Sequence, residues 1–180
     1  MLSKNIKNQT GFTLMEITAI LGIVTVALSG IVSLFNQSIR VQGQNQHYVE
    51  ASMLAQEGIE LLRNKRDNNW LHQNYWLGDV SGSDDDIWQS AANNIYTIEY
   101  DGSIDTGVAD INDNGCLLVF NNSTGLYSHN EGTIATPFRR LIEVGSSNNS
   151  KYISATSTVQ WIERGVVNKY EISTKLYNWR

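Results

Sequence analysis

A single carboxylate, Glu16, lies near the front of the otherwise apolar run "GFTLMEITAILGIV", which begins at Gly11. Inside a bilayer, a lone carboxylate costs about 2.5–3.5 kcal/mol on insertion scales, so a charge in such a place usually has an assigned partner. The residue type therefore predicts pairing with a cation. The alternative is a carboxylate that is tolerated at the membrane edge.

A second set of potential ligands lies in the segment "DINDNG", which begins at Asp110. Asp110, Asn112 and Asn114 have the spacing that opens an EF-hand loop. The pattern then departs from that loop, because Leu118 is at the ninth position and Asn121 stands where a bidentate glutamate belongs. The segment is a weak calcium candidate. An Asn- and Asp-rich turn before a strand is the preferred interpretation, and we expect no cofactor.

Other residue types with reactive side chains form no catalytic pattern. His47, His72 and His129 are far apart, without Ser-His-Asp or His-x-x-x-His spacing. Cys116 is the single cysteine, which rules out an internal disulfide and predicts a small buried strand residue. The net charge of −5 includes no basic patch. We therefore expect no catalytic residues, no enzymatic activity and no nucleic-acid partner.

The element that positions Glu16 is an apolar segment. Residues 17–35 carry no charge over nineteen positions, which at about 1.5 Å per residue spans a hydrocarbon core of about 30 Å. The preceding residues are polar and contain Lys4 and Lys7, which by the positive-inside rule places the N-terminus in the cytoplasm and the C-terminal part outside. The apolar run is longer than that of a cleavable signal and lacks an A-x-A-like site.

The order of these residues resembles a known signature. A charged leader, Gly-Phe-Thr-Leu-Met-Glu at 11–16 and an apolar run are similar to the N-terminus of type IV pilins and type II secretion pseudopilins. The resemblance implies that prepilin peptidase cuts between Gly11 and Phe12 and then methylates the new amino terminus of Phe12. Gly11 has no side chain to obstruct the protease. In a fibre, the resemblance implies that Glu16 pairs with the Phe12 ammonium of a neighbouring subunit.

The segment 51–70 and the C-terminal stretches "VQWIERG" and "KLYNWR" resemble bacterial minor pilins. The resemblance implies a structural subunit, expected to be a minor pilin, of a type IV pilus or pilus-like fibre. Its implied partners are other pilin subunits through their N-terminal helices, prepilin peptidase, the pilus or secretion assembly platform and inner-membrane lipid. The implied location is the bacterial inner membrane, followed by an extracellular pilus or a periplasmic pseudopilus. Two alternatives stay open: a type II secretion pseudopilin, and a bitopic membrane-anchored binding protein or enzyme.

A stripe of small residues follows the apolar helix. Thr18, Gly22, Thr25, Ser29 and Ser33 fall at i, i+4, i+7, i+11 and i+15, on one helical face. Small residues let membrane helices approach closely, so the stripe predicts a seam for packing against other anchor helices. The alternative is the ordinary tolerance of membrane helices for these residues.

The helical pattern continues past the membrane, since no breaker follows Phe35. We predict one helix from about Phe12 to about Arg66, amphipathic in its second half. The predicted apolar stripe of that half consists of Tyr48, Ala51, Ala55, Ile59 and Leu62, with Leu54, Gly58 and Leu61 beside it. The predicted divisions are a leader at 1–11, a transmembrane and assembly helix at 12–35, an amphipathic helix at 36–69 and an extracytoplasmic β-rich domain at 70–180.

The C-terminal region predicts a β-hairpin with Arg164-Gly165 as its loop. Glu163 then pairs with Val166, and Val159 with Tyr170. In this register the more apolar sets of both strands share one face. These sets are Ile153, Ala155, Ser157 and Val159, opposite Leu176, Thr174, Ile172 and Tyr170.

The segments "FRRLIEV", "CLLVF" and "NIYTIEY" predict further strands. The predicted fold class is therefore α+β, a long N-terminal helix packed on a small antiparallel sheet, which is also the pilin fold that the resemblance implies. Trp70, Trp76 and Trp88 follow the helix, and we interpret them as core anchors, with an exposed adhesive surface as the alternative.

Overall fold

The computed structural model describes residues 11–72, 76, 94–146 and 151–178. The chain divides into two compact units, 1–45 and 46–180. The helix and strands are α1 (Leu14–Leu71), β1 (Ile95–Ile98), β2 (Ile104–Asp105), β3 (Leu117–Asn121), β4 (Leu126–Ser128), β5 (Ile134–Ser146), β6 (Tyr152–Glu163) and β7 (Val166–Tyr177). An α+β fold with one long N-terminal helix and an antiparallel sheet is thus confirmed.

In the first unit, every described residue from 11 to 42 is exposed. The start of α1 is long and apolar enough to cross a membrane, judged by length and composition. This agrees with a membrane-spanning helix near the N-terminus.

The second unit is built on one central strand, β5. Strand β6 pairs with one edge of β5, while β1 and β3 pair with different halves of its other edge. Strand β2 extends β1, β4 extends β3 and β7 extends β6. All these pairings are antiparallel. Three of the strands correspond to the predicted segments "FRRLIEV", "CLLVF" and "NIYTIEY".

The predicted hairpin register between β6 and β7 is confirmed. Glu163 lies opposite Val166 and Val159 opposite Tyr170. The connecting residues Arg164 and Gly165 have φ of 52° and 80°, which is the left-handed geometry of a type I′ turn and explains the glycine.

The second half of α1 packs on the inner face of the sheet through the predicted stripe. One core cluster joins the helix residues Ala51, Leu54 and Ala55 to Leu118, Phe138, Val159 and Trp161. The other cluster joins Ile59, Leu62, Trp70 and Trp76 to residues of β1, β5, β6 and β7. Gly58 lies close against the sheet: a Cβ there would lie 2.7 Å from Ser157 Oγ and 2.9 Å from Ile142 Cδ1.

The helix ends later than predicted, at Leu71 instead of near Arg66. The apolar stripe runs on through Leu62, Arg66 and Trp70, which are all buried. Arg66 lies over the Trp70 ring, 4.7 Å from its centroid, and its guanidinium is paired with Asp67. An arginine that packs its stem on an aromatic ring continues a buried face, although its charge suggests the opposite.

Two glutamates of the helix contact the sheet domain. Tyr127 donates a hydrogen bond to the Glu50 carboxylate, and burial together with this bond raises the pKa of Tyr127 to about 12. Glu57 Oε1 lies 3.2 Å from Nη1 of Arg140, whose side chain is 1% exposed. Arg140 Nη2 also donates to Ile98 O, at 3.0 Å, so one buried guanidinium connects α1, β1 and β5.

Two smaller predictions need adjustment. Tyr48 is 53% exposed, although its ring makes edge contacts with Trp161 and Tyr170. Cys116 is fully buried as predicted, but it lies in a short 3-10 turn, Asn114–Cys116, directly before β3. Burial raises the pKa of its thiol to about 11.

Candidate functional site

The helix that carries the predicted assembly residues begins directly after Thr13. The amide of Glu16 donates to Thr13 Oγ1, at 3.3 Å, and to Thr13 O, at 3.1 Å. Thr13 is therefore the N-cap, and Glu16 is the third helical residue. Sequence reasoning missed Thr13, although Thr-x-x-Glu before an apolar run is the pattern of a capping box.

Only half of that capping box is formed. Among the described residues, the Glu16 carboxylate accepts no hydrogen bond and makes no ion pair, and its side chain is exposed. Phe12, four positions earlier, is 73% exposed and lies outside the helix. The two residues of the predicted ion pair thus lie close together in the chain, and both are open to an outside partner. Gly11 is exposed too, with no atom within 4 Å of an added Cβ.

The small-residue stripe presents little polar surface. The hydroxyls of Thr18, Thr25 and Ser29 donate to the carbonyls three residues earlier, at 2.8–2.9 Å. An added Cβ at Gly22 would meet nothing within 4 Å. Because the hydroxyl protons are already bonded within the helix, this face suits an apolar environment and close helix packing.

Apart from Glu16, the rest of the helix surface between residues 14 and 35 is apolar on every side. Large side chains that are 44–82% exposed include Leu14, Met15, Ile17, Ile20, Leu21, Ile23, Val24, Val26, Leu28, Ile31, Val32, Leu34 and Phe35. A helix that is hydrophobic all round is stable only inside lipid or inside a bundle of other helices.

Of the three weak calcium candidates, Asp110 accepts a hydrogen bond at Oδ1 from the Asn112 amide. Asp113 Oδ2 accepts from the amides of Ala109 and Asp110, and these bonds hold the pKa of Asp113 below its usual range. Asn112 Oδ1 accepts from Gln160 Nε2, at 3.1 Å. Asp110, Asn112 and Asp113 thus belong to an internally bonded turn before β3.

The Arg139 guanidinium binds the backbone of the same turn. It donates to the carbonyls of Asn112, at 2.9 Å, and Asp113, at 2.6 Å. Asn114 begins the following 3-10 turn. In the described part of the chain, no group of three or more His, Cys, Asp and Glu side chains could hold a metal ion.

The three histidines lie in separate places. His47 Nδ1 is 3.5 Å from Glu163 Oε2, His129 Nδ1 is 3.2 Å from Glu99 Oε1, and His72 Nδ1 is 2.9 Å from Asn68 O. The structure does not bring them together.

Two of the three tryptophans at and after the end of the helix act as core anchors. Trp70 and Trp76 are 6% and 3% exposed, and their rings stack with centroids 6.4 Å apart. Trp88 lies outside the described residues.

Comparison of the chain with family models, curated proteins and solved structures gave no match.

Proposed function

We propose that this chain is a structural subunit, in the role of a minor pilin, of a type IV pilus or pilus-like fibre. In this proposal prepilin peptidase removes residues 1–11, and Phe12 becomes the methylated amino terminus. The subunit is first held in the bacterial inner membrane by a single span. It then enters the fibre through its N-terminal helix.

The observation that carries the proposal is the combination of Glu16 with its helix. A carboxylate without a partner in the described chain begins a segment whose apolar side chains are exposed all round. Leaving apolar surface in water costs roughly 25 cal/mol per Å². Inner-membrane lipid, and later the neighbouring helices of a fibre, cover the apolar surface, and in the fibre a neighbour's Phe12 ammonium neutralises Glu16. A desolvated ion pair of this kind sets register more than it adds stability.

The small-residue face supports the same interpretation. Thr18, Gly22, Thr25 and Ser29 allow close approach, and the three hydroxyls need no partner from a neighbour.

Two alternatives predict different observations. A type II secretion pseudopilin would share the processing and the helix, so the location of the assembled fibre distinguishes it. A bitopic membrane-anchored binding protein would keep residues 1–11, and it would leave the carboxylate of Glu16 in the apolar segment unexplained. Mass analysis of the N-terminus in cells with active peptidase separates these classes: a chain that starts at methyl-Phe12 supports the pilin, whereas an intact Met1 supports the anchored protein.

The sharper experiment changes Glu16 itself. In Glu16→Leu, membrane insertion and processing should be intact. Incorporation into fibres should fall by about tenfold or more, since a buried ammonium without its partner costs a few kcal/mol. Glu16→Gln should fail nearly as badly, because an amide lacks the charge. The quantity to measure is the ratio of this subunit in sheared fibres to that in the inner membrane.

Thr13→Val is the matched control. It removes the side-chain cap that bonds to the Glu16 amide but keeps the carboxylate. If Glu16 only favoured the start of the helix, both changes would lower assembly alike. We expect Thr13→Val to assemble close to normally. An unchanged ratio in both Glu16 variants would overturn the proposal.

A further inference from the structure

A polar cavity of about 150 Å³ lies in the second unit, between the last turns of α1 and the turn that joins β1 to β2. Since one water needs at least about 10–15 Å³ of such space, the cavity has room for several waters or one small ring. Its lining includes Asn64, Lys65, Asn68 and Asn69 of α1 and Tyr100 and Asp101 of the turn. None of them belongs to the N-terminal assembly segment, so the cavity is independent of the proposed function.

The turn side of the cavity is held in place by its own hydrogen bonds. Asp101 Oδ1 accepts from Ser103 N, at 2.8 Å, and from Ser103 Oγ, at 2.7 Å. Lys65 Nζ donates to Gly102 O, at 3.1 Å, which ties the turn to the helix. A wall fixed in this way loses little freedom when a ligand binds, which favours affinity.

The helix side offers both donors and acceptors. Asn68 Nδ2 donates to Asn64 Oδ1, at 3.2 Å, which leaves the Asn64 amide nitrogen and the Asn68 amide oxygen for a ligand. Asn69 Nδ2 is a buried atom with no hydrogen-bond partner in the described part of the chain. A buried donor without a partner costs free energy unless a water or a ligand accepts from it.

The charges of the lining select against an ion. The charged side chains of the lining are Lys65 and Asp101. The hydrogen bonds from Ser103 hold the pKa of Asp101 below its usual range, so it is ionised at neutral pH. The ammonium of Lys65 disfavours a metal cation, and the carboxylate of Asp101 disfavours a phosphate or sulfate. The best ligand therefore has no net charge and carries both donors and acceptors.

An aromatic ring completes the cavity. Tyr100 is 45% exposed, and its hydroxyl donates to Glu131 Oε2, at 3.2 Å, which fixes the orientation of the ring. An aromatic side chain beside amide and carboxylate groups matches a sugar, whose C–H groups lie on one face of the ring and whose hydroxyls both donate and accept. We propose that this cavity binds the ring of a neutral sugar.

Saturation-transfer NMR on the full chain tests the proposal. The protein is kept in dodecylphosphocholine, because a detergent with a sugar head group would compete. The probes are the methyl glycosides of glucose, galactose, mannose and N-acetylglucosamine, and the same four free sugars. We expect at least one probe to bind with a millimolar dissociation constant. Binding of the methyl glycoside indicates the end of a glycan, whereas binding of the free sugar alone indicates a free monosaccharide.

The double variant N64A/N68A should weaken that binding at least tenfold. Both positions are exposed on α1, and alanine favours helix, so folding is retained. Gln56→Ala, another exposed amide on the same helix, should bind like the parent. Asn68→Trp, which fills the cavity, should abolish the signal. Absence of binding by all eight probes, or equal binding by N64A/N68A and Gln56→Ala, would overturn the proposal.

Discussion

Val159 lies directly opposite Tyr170 in the ladder between β6 and β7, and its side chain is completely buried against the helix. Val159→Asp places an unpaired charge in this core. We expect it to lower the free energy of unfolding by about 3–5 kcal/mol, measured by denaturant titration of the full chain in detergent. Thr156→Asp, on the outer face opposite Ser173, should cost less than about 1 kcal/mol. Equal losses in the two variants would contradict the inward orientation of Val159.

Gly58 and Gly43 belong to the same helix but have different surroundings. A Cβ at Gly58 would clash with Ser157 and Ile142, whereas one at Gly43 would meet nothing within 4 Å. Gly58→Val should therefore destabilise the second unit by about 1–3 kcal/mol or more, because overpacking separates helix and sheet. Gly43→Val should leave the thermal unfolding midpoint unchanged. A stable Gly58→Val variant would argue against the close helix–sheet contact.

The buried pair of Glu99 and His129 should make stability depend on pH. Burial on its own raises the pKa of Glu99, but the hydrogen bond and the charge of His129 outweigh it, so the pKa lies below its ordinary value of 4.5. The folded state then binds the proton less tightly than the unfolded state does. This contribution to stability is present above about pH 4.5 and is lost as the pH falls through the folded pKa.

Glu99→Gln measures that contribution. At pH 7 the variant should be less stable by about 1.5–3 kcal/mol, the value of a hydrogen bond to a charged group. The difference from the parent should shrink towards pH 3. Glu60→Gln changes an exposed glutamate on α1 and should show no such trend. Denaturant titrations between pH 3 and 7 give both curves, and a constant difference for Glu99→Gln would contradict the pairing.

Gly11 is the residue before the proposed cut, and a side chain there should obstruct the peptidase. We expect Gly11→Val to leave a full-length precursor in the membrane, seen as a larger band and an unprocessed N-terminal mass. The matched change Thr13→Val, two residues beyond Gly11, should be processed. A mature protein of normal size from Gly11→Val would show that the cleavage site is not at Gly11.

Local patterns made much of this fold predictable. The hairpin register follows from alternation with period two around an Arg-Gly turn, so Val159 and Tyr170 could be paired from the sequence. The second half of the helix could be oriented in the same way, through Leu54, Ala55 and Ile59. The late end of α1 could not be predicted from the sequence, because Arg66 continues the buried face through its packing on Trp70.

Such local patterns do not predict long-range contacts. Arg140 lies between Phe138 and Ile142 on the inward face of β5. One polar residue in an apolar alternation indicates a polar contact inside the core. Its partners were not predictable, because Leu54 and Ile98 are 86 and 42 residues away. In the candidate assembly site, the motif identified Phe12 and Glu16. The cation that Glu16 needs is proposed to come from another subunit, which one chain does not contain.

The core packing of α1 has a consequence for biosynthesis. Leu54 is buried against Phe138 and Trp161, which follow it by roughly 100 residues. At about 5–20 residues per second, the ribosome adds those strands some 5–20 s after the helix. During that interval the apolar stripe of the helix has no sheet to cover it, and a nascent chain in this state is open to aggregation or to capture by a chaperone. The length of this interval is therefore set by the sequence separation between the helix and the strands that cover it.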